Sequence, residues 1–292
     1  MLTVQTTPPR SALRPFVRCY VQRNSDSEGV STVEPVVARL EQTVEFQFGT
    51  PFQVRRDKED ELRQLKLHPN VRFFDIAPPL VVVGPHTYRT STLTVIGKVD
   101  AFAIMLQPGG FKQLFGIPLC EFTDVGYDAS AVLGSAGLAL MERLGNVSTF
   151  AERVRIADEF LECTLKHADA DDRLAGIANS MLSLDGPAKI ADFASQTGLS
   201  LRQFERRFRE YTGVTPKLFV RIARFQDALD RTTLIPSQSW TTIAHSAGYH
   251  DQMHMVRDFH EFAAASPSRA VTEISPQHII SVLKKGQRQA TI

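Results

Sequence analysis

The pattern of apolar positions changes character partway along the 292-residue chain. Up to about residue 125, short segments rich in Val, Ile, Phe and Thr alternate with turns rich in Pro, Gly, Asn and Asp. Such evenly spaced segments are typical of strands in an antiparallel sandwich or barrel. Farther along, apolar residues recur every three or four positions, as in amphipathic helices. The pattern predicts an α+β protein: an N-terminal antiparallel β-barrel with trailing helices, and a C-terminal all-α part.

The clearest candidate strands are residues 36–40, 44–48, 80–83 and 101–106. The charged stretch 54–67 is interpreted either as a long hairpin or as a mobile excursion. A barrel of this size can hold one small ligand, lined by the inward Phe and Val side chains of the strands. Equally, the large apolar residues of these strands can simply form the core; these are Phe46, Phe48, Phe102 and Met105.

Two glycines, Gly109 and Gly110, follow the last candidate strand and precede a helical pattern. A phosphate-binding loop would add a wider glycine spacing and a terminal Lys-Ser/Thr pair, and this segment has neither. We therefore predict a strand-to-helix turn here, and no cofactor.

Two helices are predicted in the middle of the chain, at about 129–143 and 148–167, the second with Ser148 as its N-cap. Their apolar faces suit a core or a dimer interface. The small, polar stretch 167–172 is the predicted domain boundary. The expected division is a sensor or dimerisation domain at 1–168 (barrel about 1–125, helices about 129–167), a helical domain at 171–275 and a polar tail at 276–292.

A helix-turn-helix pattern is written twice in the C-terminal part. In each copy a short apolar helix is followed by a glycine turn and a longer helix with apolar residues on one face. The first copy contains Ile190, Phe193, Ala194, Gly198, Phe204, Phe208, Tyr211, Gly213 and Pro216. The second contains Trp240, Ile243, Ala244, Gly248, Met255, Phe259, Phe262 and Pro267. A continuous helical pattern at 217–231 joins them, with Leu218, Ile222, Phe225 and Leu229 on its inward side.

The outward faces of the two longer helices carry side chains suited to base edges. Arginine donates two hydrogen bonds to guanine, glutamine pairs with adenine, and small apolar groups touch the thymine methyl. The candidates are Arg202, Gln203, Glu205, Arg206 and Arg209 in the first unit, and Gln252, Met253, Val256, Arg257 and His260 in the second. Candidate phosphate contacts are Ser200, Lys217 and His250, while Asp251 is predicted to cap the second helix. A joining helix of this kind can hold the two reading helices about 34 Å apart, one turn of DNA.

The distribution of charge along the chain also differs between the two parts. The net charge is +1, so the whole chain has no strong bias toward polyanions. However, residues 171–292 carry more Lys and Arg than Asp and Glu, whereas residues 1–170 lean slightly acidic. A basic end on a neutral chain fits a nucleic-acid module attached to a ligand or dimer domain.

Cellular location is predicted from the cysteines and the apolar runs. The three cysteines, Cys19, Cys120 and Cys163, are scattered and lack metal spacing, which favours free thiols in a reducing cytoplasm. No apolar run is long enough to span a bilayer, and the first residues have no signal-peptide pattern. We expect a cytoplasmic protein without membrane contact.

The spacing of the histidines distinguishes a metal enzyme from a binding protein. A metal cupin needs two or three converging His with a carboxylate, but the N-terminal half offers only His68 and His86, which are not paired. In the second helix-turn-helix unit, His250 and His254 stand four apart without further ligands. We therefore predict no catalytic residues and no metal. The alternative is a cupin-type or DNA-modifying enzyme that uses the C-terminal part for targeting.

The C-terminal motifs resemble the AraC/XylS family of bacterial transcription regulators. The resemblance rests on the Gly198 turn, the Phe204/Phe208 pair and the Gly213/Pro216 pair, followed by the 243–249 and 257–259 segments and Ser266-Pro267. It covers about residues 171–275 and implies a seven-helix domain with two helix-turn-helix units. The chain departs from the family pattern at Ala264, where a glycine usually ends the last recognition helix, and at His260, where Lys or Arg is usual.

The resemblance implies a sequence-specific regulator, not an enzyme. Its expected partners are promoter DNA, RNA polymerase if it acts as an activator, a second copy in a homodimer, and a small-molecule effector. Helices 129–167 are the candidate dimer interface.

Overall fold

The computed structural model describes residues 2–25, 30–69, 71, 73–165, 172–182, 189–235 and 237–274. In these residues an N-terminal domain of antiparallel sheets with helices is followed by a C-terminal helical domain. The predicted α+β class is confirmed. The predicted domain boundary at 167–172 falls almost wholly, and the tail at 276–292 entirely, outside the described residues.

The strands described in the N-terminal domain form two antiparallel sheets. The strands are β1 (Leu2–Thr7), β2 (Val17–Ser25), β3 (Val30–Val36), β4 (Gln42–Gln47), β5 (Gln53–Arg55), β6 (Leu80–Val83), β7 (Ser91–Gly97), β8 (Asp100–Leu106) and β9 (Gly126–Asp128). The larger sheet has the order β1-β2-β8-β4-β6-β9, and the smaller has the order β3-β7-β5. The strands predicted at 44–48, 80–83 and 101–106 therefore lie side by side in the larger sheet.

The larger sheet separates two environments because successive side chains of a strand point to opposite faces. On one face Phe46, Phe102 and Ile104 are fully buried against helices. On the other face the alternate residues, among them Glu45 and Met105, line a cavity whose far wall is the smaller sheet. Phe46 and Phe102 therefore belong to the core, whereas Met105 lines the cavity.

The described part of the N-terminal domain also contains four helices. They are α1 (Lys58–Leu67), α2 (Gly110–Phe115), α3 (Ser130–Gly145) and α4 (Phe150–Leu165), with 3-10 turns at Ser11–Leu13 and Leu119–Phe122. The segment before α2 is a strand-to-helix turn, as predicted. Leu140, Leu144 and Leu161 of α3 and α4 are buried on the larger sheet.

Three local predictions were wrong. The strand predicted at 36–40 does not form, since β3 already ends at Val36 and Arg39 makes only an isolated bridge to His86. The stretch 54–67 is neither a hairpin nor an excursion, since it contains the end of β5 and the helix α1. Three acidic residues in the first turn of α1 favour a helix there, through the helix dipole. Also, α4 begins at Phe150, and the hydroxyl of Thr149, not that of Ser148, accepts a hydrogen bond from the Glu152 backbone amide.

The C-terminal domain consists of α5 (Asp172–Leu182), α6 (Ile190–Thr197), α7 (Leu201–Thr212), α8 (Pro216–Leu234), α9 (Trp240–Ser246), α10 (Gln252–Ala263) and α11 (Pro267–Glu273). Its core is built from the apolar faces of these helices around α8, the helix that joins the two units. Phe225 of α8 packs edge-on against Phe259 and Phe262 of α10, with ring centroids 4.9 and 5.5 Å apart. The side of α8 that the sequence pattern places inward therefore contributes to a core that both helix-turn-helix units share.

Candidate DNA-binding surface and interdomain cavity

The first helix-turn-helix unit is α6 and α7. Gly198 ends α6 in the left-handed conformation, with φ of 70°, which residues other than glycine adopt only at a cost. Ser200 then caps α7: its hydroxyl accepts from the Gln203 amide, and the Gln203 side-chain oxygen accepts from the Ser200 backbone amide. This reciprocal capping box fixes where α7 begins.

The two faces of α7 are divided as the sequence predicts. Phe204, Phe208 and Tyr211 are fully buried in the domain core. The predicted base-reading residues are exposed; these are Arg202, Gln203, Glu205, Arg206 and Arg209. Ser200 and Lys217, the predicted phosphate contacts of this unit, are exposed too. The capping role engages the oxygen of the Gln203 amide and leaves its NH2 group for a partner.

The second unit is α9 and α10. Asp251 caps α10 by accepting a hydrogen bond of 2.7 Å from the His254 amide, in the place predicted for it. Met255, Phe259 and Phe262 are buried, whereas Gln252, Met253, Arg257 and His260 are exposed. Val256 is half-buried and His250 is exposed. The Gln252 side-chain oxygen already accepts from the Thr241 hydroxyl at 3.0 Å, which ties α10 to α9.

Ala264 takes the conformation that the missing glycine would take. Its φ is 53°, in the left-handed region, so α10 ends like the other reading helix, which ends at Gly213 with φ of 88°. For an alanine this conformation costs about 1–2 kcal/mol. Ala264 therefore ends α10 in the left-handed conformation, and we expect it to lower the local stability relative to glycine.

A charged cluster fixes α10 to the joining helix. Arg221 of α8 donates to the carboxylates of Asp258 and Glu261, both at 2.6 Å, and its guanidinium lies over the ring of Phe262. Asp258 is almost fully buried. Because the hydrogen bond from Arg221 to Asp258 is charge-assisted and ends on a buried carboxylate, it holds α10 against α8, whereas Glu261 is exposed and adds less.

The N-terminal domain contacts both helix-turn-helix units. Ala38 donates its amide to the carbonyl oxygen of Phe262 at 3.0 Å, in the second unit. Thr123 donates to the carbonyl oxygen of Gly213 at 2.8 Å, just after the first reading helix. Val37, Ala38 and Leu40 are part of the same buried cluster as the C-terminal helices. The two domains therefore share a packed interface.

A cavity of about 180 Å³ lies between the two sheets and reaches α8. Its apolar walls are mainly Val and Leu side chains of the strands together with Phe52 and Phe74 of the loops, and Gln226, Leu229 and Asp230 of α8 close one side. Gln226 also joins the domains: its oxygen accepts from the Leu40 amide, and its NH2 group donates to both Glu41 oxygens at 2.9 and 2.8 Å. A molecule in this cavity would touch the helix that connects the two reading units.

The charges of the cavity are largely paired inside the protein. Arg23 faces Glu45 at 3.5 Å and Arg39 faces Glu34 at 3.8 Å. Arg56 donates to the Phe74 carbonyl oxygen at 3.0 Å, and its guanidinium lies over the Phe74 ring. The cavity is thus polar at specific points without a strong charge of one sign.

A buried acid, Asp124, lies beside the domain interface. Its carboxylate accepts from the amide and the hydroxyl of Thr87. Burial raises the pKa of Asp124 to about 6, although the Thr87 hydrogen bonds and the charge of Arg63 oppose the shift. The next residue back in the chain is Thr123, which bonds the end of the first reading helix.

Asp124 is expected to make the free energy of unfolding pH-dependent. Since its folded pKa lies above the ordinary value of about 3.9, its contribution is fully present below about pH 4 and is lost as the pH rises through about 6. The size is on the order of 2–3 kcal/mol. Urea unfolding of the wild type and Asp124→Asn between pH 4 and 7 checks this, because the Asn variant keeps the shape but does not titrate. Parallel stability curves for the two proteins would contradict it.

Two groups that sequence reasoning missed lie at the cavity. The sequence suggests His86 only as a candidate metal ligand, but it is a buried side chain that lines the cavity. Gln226 and Asp230 are buried polar residues four apart on an otherwise apolar face of α8, a spacing visible in the sequence. That pair was the available signal, since polar groups on an inward helix face need a partner there.

Among the side chains that the structure describes, no group of three or more His, Cys, Asp or Glu is placed to hold a metal ion.

Within the described ranges, every helix is too short or too polar to cross a bilayer.

Comparison with known proteins gives two family matches. Residues 193–273 match the family described as "Helix-turn-helix domain", and residues 5–128 match "Domain of unknown function (DUF6597)". No protein of curated function matches this chain. The C-terminal domain is therefore an AraC-type helix-turn-helix domain, in agreement with the sequence motifs.

Several solved structures match this chain at low sequence identity. ToxT from Vibrio cholerae has 10% sequence identity and a TM-score of 0.48, with 94% of this chain and 98% of ToxT covered. ToxT from Vibrio cholerae bound to an unsaturated fatty acid has 10% identity and a TM-score of 0.45, with 86% and 97% covered. The AraC-like transcriptional activator CuxR has 11% identity and a TM-score of 0.21, with 79% and 87% covered.

Proposed function

We propose that this protein, a DNA-binding transcription regulator with an AraC-type helix-turn-helix domain, reads two adjacent major-groove segments with α7 and α10. One observation carries the proposal: two reading helices with exposed polar faces are attached to one joining helix, and their opposite faces share one core. A rigid connection between two reading helices lets one chain recognise two half-sites at a fixed spacing.

We assign the individual contacts from the positions of the residues in the two helices. Arg206 and Arg257 hold equivalent places in α7 and α10, and both are exposed. We assign each of them to a guanine in its own half-site. Arg202, Glu205, Arg209, Gln252, Met253 and Val256 flank them as further base contacts. Ser200, Lys217, His250 and His260 are assigned to the phosphate backbone or groove edge.

The cavity is proposed as an effector site. Its wall on α8 and the interface hydrogen bonds of Gln226 connect an occupant physically to the joining helix. An effector that binds one arrangement of the two units better than another would shift the population toward it. The protein itself is proposed to be non-enzymatic, acting through DNA and, as an activator, RNA polymerase. A homodimer through α3 and α4 remains part of the proposal.

The first test is a selection of genomic fragments with the purified protein, followed by footprinting of the best fragment at two salt concentrations. Protection of two successive major-groove segments is expected. Failure to enrich any fragment, both with the full chain and with residues 171–292 alone, would contradict the proposal.

Arg206→Ala and Arg257→Ala are each expected to weaken specific binding by about 1–3 kcal/mol and to relax the preference at one base position, in different half-sites. Lys217→Ala should instead weaken all sequences alike and lower the salt slope by about one. Arg207→Ala is the matched control: it removes the same charge from an exposed position on another side of α7. The affinity of each variant is measured for the selected DNA and for random DNA. If Arg206→Ala and Arg257→Ala lose as much affinity for random DNA as for the selected DNA, the assignment of these residues to bases is wrong.

A further inference from the structure

The side chain of Gln252 is held in one orientation by the other helix of its unit. Thr241, in the first turn of α9, donates from its hydroxyl to the side-chain oxygen of Gln252 at 3.0 Å. Gln252 is the first residue of α10, and both residues are exposed. Within the described part of the chain, the NH2 group of Gln252 has no hydrogen-bond partner. The oxygen therefore points toward α9, and the NH2 group is left for a base.

This orientation decides which base Gln252 can read. The pairing of glutamine with adenine uses both ends of the amide: the oxygen accepts from N6 and the NH2 group donates to N7. Guanine instead presents two acceptors, N7 and O6. In a helix-turn-helix the first helix crosses the DNA backbone, so an oxygen turned toward α9 is turned away from the base edges. The NH2 group then meets two acceptors at guanine, but one acceptor and one donor at adenine.

Gln203 shows the same arrangement in the first unit. Its side-chain oxygen accepts from the backbone amide of Ser200 at 3.1 Å. A backbone N–H can only donate, so the oxygen must be the end of the side-chain amide that faces the cap. Each reading helix therefore has, in its first turn, a glutamine that offers donors only. The capping box holds it in α7, and Thr241 holds it in α10.

We infer that Thr241 is a positioning residue for base recognition: by holding the oxygen of Gln252, it makes α10 select guanine over adenine at one position of the DNA site. Thr241 acts through Gln252 and not on the base itself. To read adenine with both ends of its amide, Gln252 has to release Thr241 and lose one hydrogen bond. The inference rests on the proposed DNA reading by α10 and names the base that one of its contacts selects.

The experiment is selection from a random DNA library with the full chain, followed by affinity measurements on the selected site with each base at one position. That position is the one whose preference disappears in Gln252→Ala. There the wild type is expected to bind guanine roughly threefold to tenfold more tightly than adenine, the factor that one hydrogen bond supplies. A wild-type preference for adenine, or no position that depends on Gln252, would overturn the inference.

Thr241→Val keeps the shape of the side chain and removes the hydroxyl. Gln252 is then free to turn, and the ratio of guanine to adenine affinity should fall to about one or below. Thr241→Ser keeps the hydroxyl and should keep the wild-type ratio. Thr242→Val is the matched control, since this neighbouring exposed hydroxyl bonds Ser239 at 2.8 Å and not Gln252. An unchanged ratio in Thr241→Val, or an equal fall in Thr242→Val, would refute the role of Thr241.

Two further variants separate this role from a structural one. In the Gln252→Ala background, Thr241→Val should change no base preference, because the side chain through which Thr241 acts is gone. Gln252→Glu leaves an acceptor where the wild type has a donor, so the preference should move from guanine to cytosine, whose N4 group donates. This variant tests the orientation even if Thr241→Val does not fold. A continued preference for guanine in Gln252→Glu would contradict it.

The wild-type selection also keeps the two proposals apart. If the full chain enriches no DNA, the inference falls together with the reading function. If it enriches a two-part site with adenine at the position that depends on Gln252, the regulator stands and only the role of Thr241 fails.

Discussion

Phe225→Ala is expected to lower the free energy of unfolding of the C-terminal domain by about 3–5 kcal/mol. Phe225 is fully buried in the joining helix α8, and its ring packs on Phe259 and Phe262 of the second reading helix. Truncation removes both aromatic contacts and leaves a cavity that a helix pinned at Arg221 cannot easily close. The loss therefore falls on the packing that holds the two reading units together.

The single tryptophan, Trp240, makes this measurable in the full chain, because it packs against the C-terminal core. Urea unfolding followed by Trp240 fluorescence gives the midpoint for this domain. Leu201→Ala, at a 47% exposed position of α7, is the control and should change stability by no more than about 0.5 kcal/mol. A Phe225→Ala midpoint as close to the wild type as that of Leu201→Ala would refute the central role of this side chain.

Gly109→Ala is expected to disrupt the docking of the two domains, at a cost of about 2–5 kcal/mol from left-handed strain and overpacking together. Gly109 has φ of 78°, and an added Cβ would lie 1.9 Å from Cε1 of Tyr211, far inside contact distance. Tyr211 is buried near the end of the first reading helix. Either its ring must leave the core or α2 must move away from α7.

Gly116, at the other end of α2, gives a matched control. Its φ of 73° is similar, but within the described parts of the chain no atom lies within 4 Å of an added Cβ. Gly116→Ala therefore carries the backbone strain alone, about 1–2 kcal/mol. Hydrogen exchange of the backbone amides near Gly213 and Thr123 should rise in Gly109→Ala and stay near wild type in Gly116→Ala. Equal exchange in both variants would show that this contact does not hold the domains together.

The helical periodicity of the C-terminal part was strong enough to predict its elements and their faces. Phe204 and Phe259 are buried, and Arg206 and Arg257 are exposed, because a helix with a regular apolar stripe has only one way to bury it. The helix caps at Ser200 and Asp251 could also be predicted, because a cap involves residues only three positions apart.

Predictions from short stretches of sequence were wrong where the local residues suited two alternatives about equally well. Ser148 and Thr149 are both good caps, and only the packing of α4 on the sheet selects Thr149. Likewise, the charged composition of α1 resembled a loop, although Gln64 on its inner side is buried in the domain.

The α+β class, the two helix-turn-helix units and the exposed faces of α7 and α10 could be predicted from the sequence, because they depend on periodicity and on contacts between near neighbours. By contrast, the packed chain was needed to see that Val37, Ala38 and Leu40 belong to the C-terminal core, and that Gln226, Asp230 and His86 meet at one cavity. Those groups are far apart in the chain. Which polar residue faces which cavity depends on how the sheets and α8 pack, and no local pattern records that.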